Sequence, residues 1–233
     1  MRKFSMVVGG MMAVTLLASS VAQAQKRDPN KITEQDKQTY QDFVAGIKRA
    51  KEIRKNKARL LTAITNLRQI GIAMFEFETE YGELPSEETA VMVKETTETK
   101  ADLKAATAND CFYQLIAAGI VQPPAIFTYE TPQQQAAKKD VGELEKCEFS
   151  VLAVKSAAGN PSKPLVVAPL VHGKETFDRV ALGGKAVVLH LDNSVRSYPI
   201  EKDGRVLVNG MDIFDPAQPF WSGDVPEIRW PKD

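Results

Sequence analysis

Two histidines, His172 and His190, are the only imidazoles in this chain of 233 residues, and 18 positions separate them. An imidazole that binds a metal or acts as a general base needs a second ligand or a nucleophile close by. The sequence contains no Gly-x-Ser-x-Gly turn, no metal-spaced histidine cluster and no phosphate-binding loop. We therefore expect no catalytic role, and we interpret both histidines as surface or packed residues.

Three aspartates, Asp212, Asp215 and Asp224, lie in a C-terminal tail that is rich in proline and aromatic residues. Carboxylates on a loop with backbone carbonyls nearby are ligands that calcium prefers. The spacing of the three matches no defined calcium-binding loop, and acidic residues are also common in turns. The sequence therefore predicts no cofactor, with calcium as the one candidate and plain turn residues as the alternative.

The N-terminal stretch "MRKFSMVVGGMMAVTLLASSVAQAQ" has the pattern of a secretory signal peptide. Arg2 and Lys3 precede an apolar run over residues 7–17, and Ala22-Gln23-Ala24 forms a small-residue cleavage site. The apolar run is short and interrupted by Gly, Ser and Thr, which disfavours a membrane span. We predict a signal peptide over residues 1–24, cleavage between Ala24 and Gln25, and a periplasmic or secreted protein. An uncleaved anchor is the competing interpretation.

Export changes the interpretation of the two cysteines, Cys111 and Cys147. They are 36 positions apart and fit neither a C-x-x-C motif nor a zinc spacing. In an oxidising compartment two cysteines mostly pair, and a loop of this length would stabilise the fold by roughly 3–4 kcal/mol. The sequence therefore predicts a disulfide, and two separate buried thiols are the alternative.

Composition describes an ordinary globular protein, because 43% of the residues are hydrophobic and 26% are charged. Its 30 basic residues balance 30 acidic residues. The protein therefore has no net positive charge to attract an anionic membrane or nucleic acid, which argues against nucleic acid as a partner. The length suits one domain with an extension.

Residues 34–80 contain no proline and no glycine pair, and helix-forming residues dominate them. In the second half of this segment, large apolar residues recur at spacings of three and four and predict one buried helix face. Burial of each large member is worth roughly 1.5–3 kcal/mol, so we expect this half to be the spine of the core. The predicted stripe is Leu60, Ile64, Leu67, Gly71, Met74 and Phe75.

The first half of the same segment has a shorter stripe and then a basic run. Residues 48–59 include seven basic residues and one acidic residue, a run that cannot be buried. We therefore expect residues 25–59 to be an exposed helical extension and residues 60–233 to be the globular domain. The candidate partner-binding residues are Tyr40, Phe43, Val44, Ile47, Lys48, Arg49, Lys51, Arg54 and Lys55.

The extension has more than one interpretation. Its apolar residues could form a short coiled-coil seam with another helix, although they sustain barely two heptads. Its basic residues could bind an acidic protein, phospholipid headgroups or DNA, but no aromatic residues interleave with them to stack on bases. A solvated helix segment without a partner is the alternative.

The rest of the chain predicts an α+β fold. Short helices are expected around residues 88–94 and 111–121, and apolar strands over residues 147–154, 164–170 and 185–191. Asp192-Asn193-Ser194 predicts a tight hairpin turn, and residues 205–208 predict a further edge strand. We expect the Phe and Trp residues of the tail to lie on the domain.

Three segments, residues 58–85, 109–120 and 185–200, resemble a known family. The first ends in Tyr-Gly-x-x-Pro, the second is "NDCFYQLIAAGI", and the third contains Asp-x-Ser-Val. In this order they resemble the end of the stalk helix, the helix after the variable loop and the hairpin of the type IV pilin and type II secretion major-pseudopilin superfamily. The resemblance implies a long N-terminal α-helix packed on an antiparallel β-meander with an irregular C-terminal tail.

The N-terminus departs from the pattern of that superfamily. Its members carry a polar leader ending in Gly, then an aromatic residue and a Glu at the fifth mature position within an apolar helix. Here the candidate glycine is Gly10, and Thr15 stands at the fifth position after it. The resemblance therefore implies the fold without the usual processing and filament assembly, since the charged run replaces the membrane half.

These features together predict a non-catalytic, exported pseudopilin-like structural or interaction protein. It would serve as an accessory of a type II secretion or type IV pilus-like system, with other pilin-like or secretion-system subunits among its protein partners. Cleavage of the signal would leave it without a stable membrane anchor. A membrane-anchored subunit of such a system and a soluble module that binds a ligand or calcium are the alternatives.

Overall fold

A computed structural model describes residues 34–122, 124–131, 146–154 and 158–232. The predicted signal peptide and its cleavage site between Ala24 and Gln25 lie outside these residues. Within them, no helix combines the length and the apolar composition that a membrane crossing requires. The helices are α1 (Glu34–Tyr81), α2 (Glu87–Thr97), α3 (Ala108–Ala117) and a 3₁₀ helix (Pro124–Phe127).

The chain divides into two units, residues 1–51 and residues 52–233. The described part of the first unit, residues 34–51, is helical, and none of its side chains is buried. The second unit contains the later part of α1, the other helices and the strands. The sequence placed the end of the extension at residue 59, eight positions beyond the end of the first unit.

The later part of α1 buries one face, as the spacing of its apolar residues predicts. Leu67, Gly71 and Met74 of the predicted stripe are buried, whereas Phe75 is half-buried. The buried face is rotated slightly from the prediction and continues to the end of the helix. Its buried residues are Ala63, Asn66, Leu67, Ile70, Gly71, Ala73, Met74, Phe77 and Tyr81.

Local signals set the ends of the helices. After Tyr81, Gly82 adopts a φ of +81°, and its N–H donates to the carbonyl of Glu78 at 2.8 Å. Both short helices begin with a capping box, in which Ser86 and Thr107 are the N-cap residues. The exit from α1 and the start of α2 are therefore determined by neighbouring residues.

The main sheet is an antiparallel meander with one added strand. Its strands are β1 (Ser150–Leu152), β2 (Pro164–Ala168), β3 (Lys185–His190), β4 (Val195–Pro199) and β7 (Ile228–Arg229). The order across the sheet is β4-β3-β2-β1-β7. The expected α+β class, long helix and meander are confirmed.

The expected edge strand over residues 205–208 does not join this sheet. Its residues Leu207–Val208 form β5, which pairs with β6 (Met211–Asp212) in a separate two-stranded sheet. The edge beside β1 is instead β7, near the C-terminus. The predicted strand is therefore confirmed at residues 207–208, but it pairs locally because a tight turn at Asn209 and Gly210, both with positive φ, folds it onto its own neighbour.

Both faces of the sheet are covered. Alternate residues of β3 belong to two different core clusters, because successive side chains of a strand point to opposite faces. Val187 and Leu189 lie in the cluster that contains the buried face of α1, so we call this side the helix face. Val188 lies in the cluster that contains Phe214 and Trp221 of the tail, so we call the other side the tail face. The expectation that tail aromatic residues lie on the domain is confirmed.

Polar contacts hold the tail in place although it has little regular structure. The Gln218 amide nitrogen donates to the carbonyls of Val208, Met211 and Asp212 at distances of 2.9–3.1 Å. The indole N–H of Trp221 donates to the carbonyl of Ile213 at 2.7 Å. Because these donors satisfy backbone carbonyls next to the core, the tail forms a defined third layer.

The closest approach of α1 to the sheet is at Gly71. A Cβ placed at this position would collide with Oδ1 of Asn193 and would lie 3.0 Å from Cδ1 of Leu189. Asn193 occupies the predicted hairpin turn between β3 and β4 with a φ of +60°, a conformation that Asn tolerates. Only glycine lets the helix and this turn approach so closely.

We predict that Gly71→Ala destabilises the protein by about 1–3 kcal/mol, since overpacking costs more than the helix propensity that alanine gains. Gly46→Ala is the matched control in the same helix, because nothing lies within 4 Å of its added Cβ. That control should be neutral or stabilising by about 0.5–1 kcal/mol. Urea unfolding measures both.

Asn193→Gly should rescue Gly71→Ala, because it removes the colliding amide and still permits the positive φ of the turn. Equal stability of Gly71→Ala and Gly46→Ala would contradict the close approach.

Candidate functional site

The structure places the predicted partner-binding residues on one exposed helical segment. The exposed fractions are 68% for Tyr40, 64% for Phe43 and 40% for Ile47, and Val44 is half-buried. Residues three and seven positions after Tyr40 lie on the same side of a helix, so the first three form one apolar strip. The predicted basic residues are also exposed: Lys48, Arg49, Lys51, Arg54 and Lys55.

The last residue of the basic run, Arg59, is not exposed. The Arg59 guanidinium lies 3.5 Å from Glu148, and the two side chains are only 17% and 10% exposed. The guanidinium also lies 4.6 Å from the centre of the Tyr129 ring, in a cation–π contact. The expectation that the whole run is exposed is therefore wrong at Arg59. The reason is that a carboxylate 89 positions later supplies a partner for the guanidinium.

The predicted disulfide between Cys111 and Cys147 is not present, and both cysteines are buried free thiols. The Cys111 sulfur accepts a hydrogen bond from Nη1 of Arg229 at 3.2 Å, and the Cys147 thiol donates to the carbonyl of Phe149 at 3.3 Å. Burial raises the pKa of Cys111 to about 11 and the pKa of Cys147 to about 12. Each sulfur is thus engaged separately and stays protonated at neutral pH.

We predict that the native protein at about pH 8 shows no reactive thiol, because a buried, protonated sulfur is a poor nucleophile. Unfolding in guanidinium without reductant should expose both free thiols. Titration with a disulfide reagent before and after unfolding measures this. Absence of reactive thiols in the unfolded protein would restore the disulfide.

The three aspartates of the candidate calcium site are engaged separately. Asp212 and Asp215 each accept a hydrogen bond from the backbone N–H two residues later, at 3.0 and 2.8 Å. Asp224 lies 3.8 Å from the ammonium of Lys163. Across the described residues, no three His, Cys, Asp or Glu side chains are grouped so that they could hold a metal ion. Calcium binding stays a prediction without a ligand set.

The two histidines differ in environment. His172 is exposed, and its ring lies 6.3 Å from that of Trp230. His190 is only 2% exposed on the tail face of β3. Its Nδ1 lies 2.8 Å from the carbonyl of Ser162, and its Nε2 lies 3.3 Å from the hydroxyl of Tyr198. Since a carbonyl only accepts, Nδ1 carries the proton in the neutral ring and Nε2 accepts from Tyr198.

The electrostatics around His190 favour its neutral form. Burial lowers the pKa of His190, and the positive charge of Arg196 lowers it further. The hydrogen bond to Ser162 and the carboxylate of Asp192 each raise the pKa of His190, but by less than burial and Arg196 lower it. The imidazole therefore serves as a fixed acceptor that orients the Tyr198 hydroxyl.

A cavity of about 390 Å³ opens beside this pair, between the tail face and the tail. We call it the tail cavity. Arg196 and Tyr198 alternate on β4 and so share the tail face with His190. The residues that line it include His190, Arg196, Tyr198, Val208, Asn209 and Phe220.

Sequence reasoning missed the tail cavity. The alternation of Arg196 and Tyr198 placed both on one face of a hairpin, and that signal was available. The opposite wall comes from Val208, Asn209 and Phe220, which reach the site only because the tail folds back over the sheet. The site combines one cation, a hydrogen-bonded phenol and apolar walls, a combination suited to binding.

We predict that His190 destabilises the fold in acid. Because its pKa is lowered in the folded state, the stability it contributes is full above the ordinary value of about 6.5 and is lost as the pH falls below it. His190→Asn keeps a donor for the Ser162 carbonyl but cannot titrate. Urea unfolding at about pH 7.5 and about pH 5 should therefore show a larger loss of stability for the wild type than for the variant. Equal losses would contradict the burial argument.

Comparisons of the chain with protein-family models, with curated proteins and with solved structures found no match.

Proposed function

We propose that this chain is an exported, non-catalytic protein of the pilin-like class that acts by binding another protein. The observation that carries the proposal is the division of α1 into two kinds of surface. Residues 63–81 bury one face in the core, whereas residues 34–51 include no buried side chain and present aromatic residues to solvent.

The order of the elements supports the pilin-like class. A long helix that exits through Tyr-Gly-x-x-Pro is followed by short helices and then by an antiparallel meander. The hairpin with Asp-x-Ser-Val lies at the end of the meander and touches the long helix at Gly71. Other pilin-like or secretion-system subunits are therefore the partners that we propose, and the N-terminal pattern supports export.

The exposed strip of Tyr40, Phe43 and Ile47 is the proposed contact surface. An apolar side chain gains roughly 25 cal/mol for each Å² that a partner covers, and aromatic residues often carry most of the energy of an interface. The basic residues that follow, Lys48 and Arg49 among them, would match an acidic rim on the partner and speed its association. A helix or groove with an apolar centre and acidic edges fits this surface.

Photo-crosslinking in the producing bacterium tests the proposal. A photoreactive phenylalanine analogue replaces Phe43, and separate variants carry it at Tyr40 or Ile47. We expect all three positions to yield the same protein adduct, because they lie on one strip of the helix.

Val180 and Val225 are the matched controls, since each is 74% exposed and lies outside the strip. The same adduct from the control positions, or no adduct from the strip, would contradict the proposal. An adduct of twice the mass of the chain would identify a second copy as the partner.

A further inference from the structure

We propose that the tail cavity is a binding site for a small organic carboxylate that carries an apolar group, with Arg196 as the residue that holds the carboxylate. This site goes beyond the proposed protein-binding role, since it lies on the tail face and involves none of the residues of the exposed strip.

The size of the cavity sets the size of the ligand. A volume of about 390 Å³ is near the lower end of the range of roughly 300–1,000 Å³ found for ligand pockets. The walls include the side chains of Leu207, Val208 and Phe220. A compact molecule with one apolar group is therefore the ligand that fills the space and covers these side chains.

The charge of the cavity sets the chemistry of the ligand. Among the described residues that line it, Arg196 is the only one with a formal charge once His190 is neutral. Its guanidinium forms an ion pair with Asp192 at 3.8 Å, a separation beyond hydrogen-bond distance, and half of its side chain is exposed. The planar fork of donors is therefore available to a carboxylate, which it can bind through two parallel hydrogen bonds.

Two of the other polar side chains, Tyr198 and Gln218, do not compete with Arg196 for this role. The Tyr198 hydroxyl donates to Nε2 of His190, and the Gln218 amide nitrogen donates to three backbone carbonyls. Both donors are thus engaged inside the protein. Arg196 supplies the positive charge that an anion in this cavity requires, and the apolar walls select among anions.

Titrations of the full chain, followed by ¹H–¹⁵N NMR, test the proposal. The probes are phenylacetate, 4-methylpentanoate and indole-3-acetate, with phenylacetamide as the neutral counterpart and acetate as the anion without an apolar group. We expect at least one of the three apolar carboxylates to shift the signals of Arg196 and Asn209. Phenylacetamide or acetate in place of that carboxylate should raise Kd at least about tenfold, because each loses either the charge or the apolar contact.

Arg196→Gln should weaken binding of the same carboxylate at least about tenfold. Arg205→Gln is the matched control, because Arg205 is 52% exposed, pairs with Asp203 and lies outside the cavity. The affinity of Arg205→Gln for the carboxylate should equal that of the wild type. Signal dispersion in the NMR spectrum reports whether each variant is folded. The comparison of amide with carboxylate uses the wild type alone, so it tests the proposal even if a variant does not fold.

Four results would overturn the proposal: binding by none of the three carboxylates, equal binding of carboxylate and amide, equal binding of acetate, or undiminished binding by folded Arg196→Gln. Because no residue of the strip over Tyr40, Phe43 and Ile47 is altered, these results leave the crosslinking test of protein binding independent.

Discussion

The close approach of α1 to the turn between β3 and β4 is the constraint on which the rest of the second unit depends. Gly71 has no side chain, so Leu189 and Asn193 reach the helix backbone. This approach aligns the buried face of the helix with the helix face of the sheet. The helix covers the helix face of the sheet. The apolar residues on the opposite side of the strands need a second layer to bury them, and the tail provides it. The tail cavity exists because that cover does not close completely around Arg196.

Much of this fold could be predicted because it follows from local patterns. Helical spacing identified the buried face of α1, strand composition identified β1 to β3, and Asp-Asn-Ser identified the hairpin turn. The misses are long-range. β7 pairs with β1 from the other end of the sequence, and Arg59 finds Glu148 across 89 positions. The disulfide was inferred from the compartment, whereas the structure gives each cysteine its own partner, Arg229 for one and a backbone carbonyl for the other.

The candidate sites likewise divide into one that local patterns predict and one that depends on long-range contacts. Exposure of Tyr40 and Phe43 could be predicted, because a run of basic residues follows their short stripe and such a helix face is not easily buried. The tail cavity could not be predicted, since Val208 and Phe220 belong to a segment whose path is decided by side-chain hydrogen bonds such as those of Gln218. Of the two interpretations that the sequence left open for His190, surface or packed, the structure shows the packed one, and this packing fixes Tyr198 at the wall of a cavity.

The central claim is that α1 has a core segment and an exposed segment with different stabilities. Hydrogen exchange of the full chain, read by mass spectrometry, tests it most directly. Amides of residues 63–81 should open only with the core, whereas amides of residues 34–51 lack buried side chains and should exchange roughly a thousandfold faster or more. A step in protection between the two segments is the predicted result. Uniform slow exchange from residue 34 to residue 81 would contradict the account, because the proposed binding strip would then be as stably held as the core.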